Sequence, residues 1–163
     1  MPQRTMVTVG MKDAEVAGVS RLLCSSYSAL GEREGLSAEQ IEYLCSRRGS
    51  EACVNRESRS QQYLVAHEGG AIIGMVAIAG DTIAKLYVSP EHWGQGIGRS
   101  LYEAAESLIR EHGHPRVRLG AFPTAVPFYQ RMGLSVIGEK AATGPLAGRN
   151  MILMEKRLDS GAV

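Results

Sequence analysis

The stretch IAKLYVSPEHWGQGIGRS, residues 83–100, decides the fold. Ile83 to Val88 is an apolar, β-prone run, and it reads as a buried strand ended by Pro90. Gly94, Gly96 and Gly98 follow on alternate positions and lead into an amphipathic pattern with no further breaker. The order is therefore strand, glycine loop, helix. Glycines let the backbone turn tightly and aim several N–H groups at one point. The first turn of the helix adds unpaired N–H groups and the positive end of a dipole. Such a corner is a site for phosphate oxygens. It is not a Walker loop, because no Gly-Lys-Ser/Thr follows, and its glycines lack the spacing of a dinucleotide fold.

Working outward, residues 63–66, 71–79 and 82–88 read as three strands joined by the short turns at Glu68 to Gly70 and Gly80-Asp81. This is an antiparallel meander. After the loop, Ile97, Leu101, Ala104, Ala105, Leu108 and Ile109 line one helix face, and Glu106 and Arg110 form an i,i+4 pair on the other. His112-Gly113 ends that helix. Val117 and Leu119 alternate with arginines in a further strand. Strand, helix, strand predicts a parallel pair joined by a right-handed crossover. A short helix over Pro123 to Met132 is closed by Gly133. Leu134 to Lys140 and Asn150 to Leu158 are the last strands, and the tail from Asp159 reads as frayed.

Towards the N-terminus, Met6 to Val9 is β-prone. Asp13 is the expected cap of a helix with Val16, Val19, Leu23 and Tyr27 on one face, and Gly31 to Gly35 reads as a charged loop. Ser37 and Gln40 form a capping box for a second helix through Ile41, Leu44 and Cys45. Residues 47–62 carry a weak polar pattern, with room for a helical turn or two around Ala52 to Val54.

The 163 residues suit one domain with its own core. Eighteen basic against seventeen acidic residues leave a net charge of +1. That balance gives no field for nucleic-acid or membrane-surface binding, and neither partner is expected. No apolar run approaches the ~20 residues of a membrane span. No signal peptide is recognisable in Met1 to Gly10. Cys24, Cys45 and Cys53 follow no disulfide or metal spacing, which favours a reducing compartment and a cytoplasmic location. His112 and His114 lack nearby Cys or acid partners, so no metal is expected.

The order strand, V-x-P, glycine loop, helix, strand and Phe-Tyr-x-Arg-x-Gly resembles the GCN5-related N-acetyltransferase (GNAT) superfamily. The resemblance is strong from Asp81 to Ile137, and residues 154–158 (MEKRL) resemble a common last strand. Residues 93–98 (WGQGIG) carry the family's glycines, with Trp93 where relatives have arginine or glutamine. Residues 125–133 (AVPFYQRMG) match a second family segment.

The resemblance implies an α/β fold: a mixed, mostly antiparallel sheet of about seven strands flanked by about four helices, with a splayed parallel pair at the cofactor site. It implies acetyl-coenzyme A as co-substrate and a small-molecule or peptide amine as acceptor. The pyrophosphate falls to Gly94, Gln95, Gly96, Ile97, Gly98 and Arg99. The pantetheine arm falls to main-chain groups of Leu86 and Val88, under Phe128. Tyr129 matches the family tyrosine that protonates the leaving thiolate, and a main-chain amide near Val88 serves the oxyanion. The usual glutamate base falls at Thr82, which cannot do that work. Asp81, Glu68, His67 and Tyr87 are its neighbours. Phe122 replaces an asparagine that bonds the arm in relatives. A homodimer is left open.

Overall fold

The structure, a computed structural model, describes residues 5–159. Residues 160–163, most of the expected tail, lie outside the described residues. Seven strands form one sheet: β1 (Met6–Val9), β2 (Gln62–Glu68), β3 (Ala71–Ala79), β4 (Thr82–Val88), β5 (Arg116–Ala121), β6 (Ser135–Lys140) and β7 (Met151–Arg157). Their order across the sheet is β1-β2-β3-β4-β5-β7-β6. All neighbours are antiparallel except β4 and β5.

Five α-helices cover the sheet: α1 (Val16–Glu34), α2 (Ala38–Arg48), α3 (Glu51–Glu57), α4 (Ile97–Glu111) and α5 (Val126–Arg131). About four were expected. The fifth is α3, whose start is set by Ser50, its side chain accepting from the Cys53 amide at 3.2 Å. Each sheet face has its own apolar core. On one face the α4 residues Leu101, Ala105 and Ile109 are fully buried with Leu64, Val76 and Met154. On the other, Val19, Leu23 and Tyr27 of α1 and Leu44 of α2 bury against Tyr63, Val65 and Met75. Truncating any of these large side chains to alanine removes about 2–5 kcal/mol.

The N-terminal region corrects two expectations. Asp13 caps nothing: a 3-10 turn over Asp13–Glu15 precedes α1, and the Glu15 carboxylate accepts from the Lys12 amide at 2.9 Å. Gly31 to Glu34 is the last turn of α1, not a loop, and only Gly35 leaves the helix, at φ +67°. Gly31 is buried there, within 2.4 Å of Ile41 were a Cβ added, so it is a contact point between α1 and α2 and not a breaker. The Ser37–Gln40 capping box is present in both directions.

The cysteines are also corrected. Cys24 of α1 and Cys45 of α2 are joined in a disulfide, with Cα atoms 4.9 Å apart. The 21-residue separation carries no signal until the helix boundaries are known. Two helices joined at Gly35 to Ser37 then bring these positions side by side. The cysteine count therefore supplies no ground for a reducing compartment. Cys53 is free and buried. No helix among the described residues is long and apolar enough to cross a membrane.

Candidate functional site

The site begins with the parting of β4 and β5. Their register contains a single pair, Thr82 with Arg118, supported by the Arg118 amide on the Asp81 carbonyl at 3.0 Å. Beyond it the strands separate. On its other side β4 is bonded to β3, with Val88 opposite Gly74 and Tyr87 opposite Met75. The Ser89 amide donates to the Ile73 carbonyl at 2.8 Å. Antiparallel pairing alternates, so Ser89 and Tyr87 turn their main-chain groups to β3 while Leu86 and Val88 turn theirs towards β5. No β5 group meets them. Leu86 and Val88 thus present an interior strand edge to an open slot.

A β-bulge sets the side chains. Between Ala77 and Ile78 the register shifts, with Ala77 opposite Lys85 and Ile78 opposite Ile83, leaving Ala84 extra. Ile83, Leu86 and Val88 therefore all pack on the α4 face. Tyr87 packs on the opposite face against Tyr27, ring centroids 5.1 Å apart. Strict alternation along β4 cannot give that division, and nothing in the sequence marks Ala84.

At the end of β4 the chain passes through a 3-10 turn, Pro90–His92, into the glycine loop. Gly94 and Gly96 have φ of +77° and +81°, and a Cβ on either would meet nothing within 4 Å. Glycine is needed here for conformation, and the space above the loop is open. Gly96 is the N-cap of α4 and offers no side-chain cap. The first amide of this region with a main-chain acceptor is that of Ser100, on the Gly96 carbonyl at 3.1 Å. The six amides from Gly94 to Arg99 have no acceptor among the described residues. The Arg99 side chain points along the helix surface to Glu103, 2.8 Å away.

The predicted wall residues converge. A Cβ on Gly98 would lie 3.5 Å from the Phe128 ring and 3.7 Å from Val88 Cγ2, so Gly98, Phe128 and Val88 meet at the head of the slot. Tyr129 stacks edge-on to Phe128 at 5.0 Å and to Tyr102 at 6.5 Å. Its hydroxyl makes no hydrogen bond among the described residues. Burial first, and the nearby Tyr87 second, push its pKa well above the ordinary phenol value. Phe122 is buried in the α1-face core.

Each candidate base is already engaged. Thr82 donates to Asp81 at 3.0 Å. Burial raises the Asp81 pKa, but hydrogen bonds from Arg118 and Thr82 and the charge of Arg118 outweigh it and hold the carboxyl below its usual range. His67 is bonded to Glu15, and Glu68 lies 3.0 Å from His92. Burial pushes the Tyr87 phenol up, so it keeps its proton at neutral pH.

A second wall, where the end of α1 meets distant loops, was not legible from the sequence. Arg149 donates to the Glu34 and Gly35 carbonyls, both at 2.6 Å, and so closes the C-terminal end of α1 with a cation. The Glu34 carboxylate accepts from the Thr124 amide at 2.8 Å and from its hydroxyl. Gln40 donates to the Pro145 carbonyl at 3.1 Å. These contacts join the α1–α2 corner to the β5–α5 and β6–β7 connections across ~90–115 residues of sequence. Trp93 donates from Nε1 to the Val88 carbonyl at 2.9 Å, and the Arg33 guanidinium lies 4.1 Å over its ring. Among the described residues, no group of His, Cys, Asp and Glu is placed to hold a metal ion.

A family model for the acetyltransferase (GNAT) domain matches residues 32–158. Among solved structures, the chain is similar to a GCN5-related N-acetyltransferase from Rhodopseudomonas palustris, with TM-score 0.86, 23% identity, and 97% of this chain and 98% of that one covered. It is also similar to the PaiA N-acetyltransferase of Thermoplasma acidophilum in complex with coenzyme A, with TM-score 0.76, 20% identity, and 95% and 99% covered. A third is an acetyltransferase of the GNAT family from Streptococcus pneumoniae, with TM-score 0.70, 18% identity, and 95% and 99% covered. The structures share the fold, and the domain match, over most of the chain, places it in the family. This chain belongs to the GNAT acetyltransferase family.

Proposed function

We propose that the protein is an N-acetyltransferase that moves an acetyl group from acetyl-coenzyme A to a primary amine by direct attack in a ternary complex. The observation that carries this reading is the run of six main-chain amides, Gly94 to Arg99, left without acceptors at the N-terminus of α4. Orphan N–H groups in such number ask for an oxyanion ligand, and the helix dipole adds to the attraction. The edge of Leu86 and Val88 asks in turn for an extended chain with amide groups, which is strand addition by a cofactor arm. Both demands match a pyrophosphate joined to pantetheine, and the similar Thermoplasma acidophilum protein was crystallised with coenzyme A.

When bound, acetyl-coenzyme A supplies the activated acetyl thioester. The chain's own groups do the rest. Gly94 to Arg99 hold the phosphates, Leu86 and Val88 orient the arm, and Phe128 covers it from water. A main-chain amide near Val88 stabilises charge developing on the carbonyl oxygen. Tyr129 keeps a proton on its hydroxyl through the neutral range and is the donor for the leaving thiolate. The candidate carboxylates Asp81 and Glu68 are already paired, so the proton of the amine is assigned to water. The acceptor we propose is a small-molecule or peptide amine, met in a cytoplasmic setting.

The test is release of free thiol from acetyl-coenzyme A with a panel of amines. Thiol release above the hydrolysis rate with at least one amine supports the reading. A second reading follows from the engaged state of Asp81, His67 and Glu68: a module that binds the thioester without turnover. Cofactor binding with no amine-dependent thiol release selects it.

A further inference from the structure

We propose that Trp93 is a displaceable gate on the arm slot: its indole N–H holds the Val88 carbonyl in the free protein and gives it up when coenzyme A binds. The inference rests on the cofactor reading above. The register turns the Val88 carbonyl towards the gap between β4 and β5 and away from β3. That carbonyl is one of the edge acceptors an added chain needs. It is already taken, by Trp93 Nε1 at 2.9 Å.

The indole is held lightly enough to move. Trp93 is 39% exposed and belongs to neither buried core, so its ring reaches the protein surface. It is flanked by Gly94 at φ +77°, with open space beside it, so the local backbone offers a pivot. Its second restraint is the Arg33 guanidinium 4.1 Å over the ring. Arg33 belongs to the last turn of α1, whose end is tied to Thr124 and Arg149. The gate is therefore latched from the end of α1, and a ligand that moves that end bears on cofactor entry.

A protein whose competent form is a fraction of the whole binds more weakly by that fraction. One indole–carbonyl hydrogen bond, with the net strength usual for such bonds, shifts the balance roughly threefold to tenfold. Removing the donor while keeping an aromatic ring should therefore tighten binding.

The experiment uses the whole chain and free coenzyme A, which cannot turn over. Trp93 is the sole tryptophan, so intrinsic fluorescence reports its position alone. Titration should shift or quench the emission, saturating at the concentration found by calorimetry. By calorimetry, Trp93→Phe should bind roughly threefold to tenfold more tightly, and Arg33→Ala should move the same way by less. Saturation by calorimetry with unchanged Trp93 emission overturns the gate. So does equal or weaker binding by Trp93→Phe, which would make the indole part of the binding wall. No binding heat with the unaltered chain overturns the coenzyme A reading itself, and that outcome is distinct from the other two.

Discussion

The molecule has two walls built from different materials. The one proposed for the cofactor is main chain: the edge of Leu86 and Val88 and the six amides from Gly94 to Arg99. Its side chains contribute shape and little polarity. The other, where the α1–α2 corner meets the β5–α5 and β6–β7 connections, is side chain: Arg149 on the end of α1, Glu34 on Thr124, Gln40 on Pro145, Arg33 on Trp93. The first wall is open and its donors wait for a ligand. In the second, the polar groups already have partners. A main-chain site can be kept while most side chains change, provided a few glycines and the strand–loop–helix order remain. A side-chain wall has no such economy.

Placing a side chain on the main-chain wall should have the largest effect. Gly96→Asp puts a carboxylate among the amides, at a φ of +81° that disfavours any Cβ. Loss of measurable coenzyme A binding by calorimetry is expected, with a far-ultraviolet spectrum like that of the parent. Binding at the parental level would move the phosphate site elsewhere.

Next in size is the Tyr129 hydroxyl, the proposed proton donor. Tyr129→Phe should lower kcat at least about tenfold with little change in cofactor affinity, since a positioned general acid contributes at least that much. With the phenol pushed up by burial, the parent's kcat should show no ionisation of this group below about pH 10. An unchanged kcat in the variant removes Tyr129 from the proton-donor role.

The side-chain wall should respond differently. Arg149→Ala leaves the Glu34 and Gly35 carbonyls without their cation. A loss of about 1–2 kcal/mol is expected in denaturant melts. The acceptor KM should rise severalfold, with cofactor affinity close to the parent's. A fall in cofactor affinity as large as the change in KM would erase the distinction between the walls.

The smallest effect concerns the hinge where β4 and β5 part. The pKa of Asp81 is lowered in the folded state. It therefore contributes stability above its unfolded value of about 3.9, lost as pH falls through the folded value. Asp81→Asn should flatten the stability profile below about pH 5 and leave the alkaline side unchanged. An identical acid limb in parent and variant would show that Arg116 and Arg118 do not hold this carboxylate.

The contrast between the walls also explains what the sequence could reveal. The β2–β3–β4 meander, the parallel pair and the amides of Gly94 to Arg99 follow from hydrophobic periodicity and glycine positions, which are local signals. Phe128 and Tyr129 were singled out by the resemblance of residues 125–133 to a family segment, and the structure brings both next to the slot. The bulge at Ala84 was not, since a single extra strand residue leaves no mark in a short apolar run. The Cys24–Cys45 bond depended on where α1 ends, and the charged residues from Glu32 to Glu34 read as a loop although they extend the helix. The Arg149 and Glu34 contacts join segments more than 80 residues apart through long polar side chains. Nothing in either segment alone announces the partner.

The central claim is that main-chain groups of β4 and the glycine loop form the coenzyme A site. Backbone amide resonances of isotopically labelled protein, followed as coenzyme A is added, test it most directly. The amides of Gly94 to Arg99, with those of Leu86 and Val88, should show the largest shifts and saturate together. Saturable binding that leaves these resonances in place and moves another set instead would contradict it.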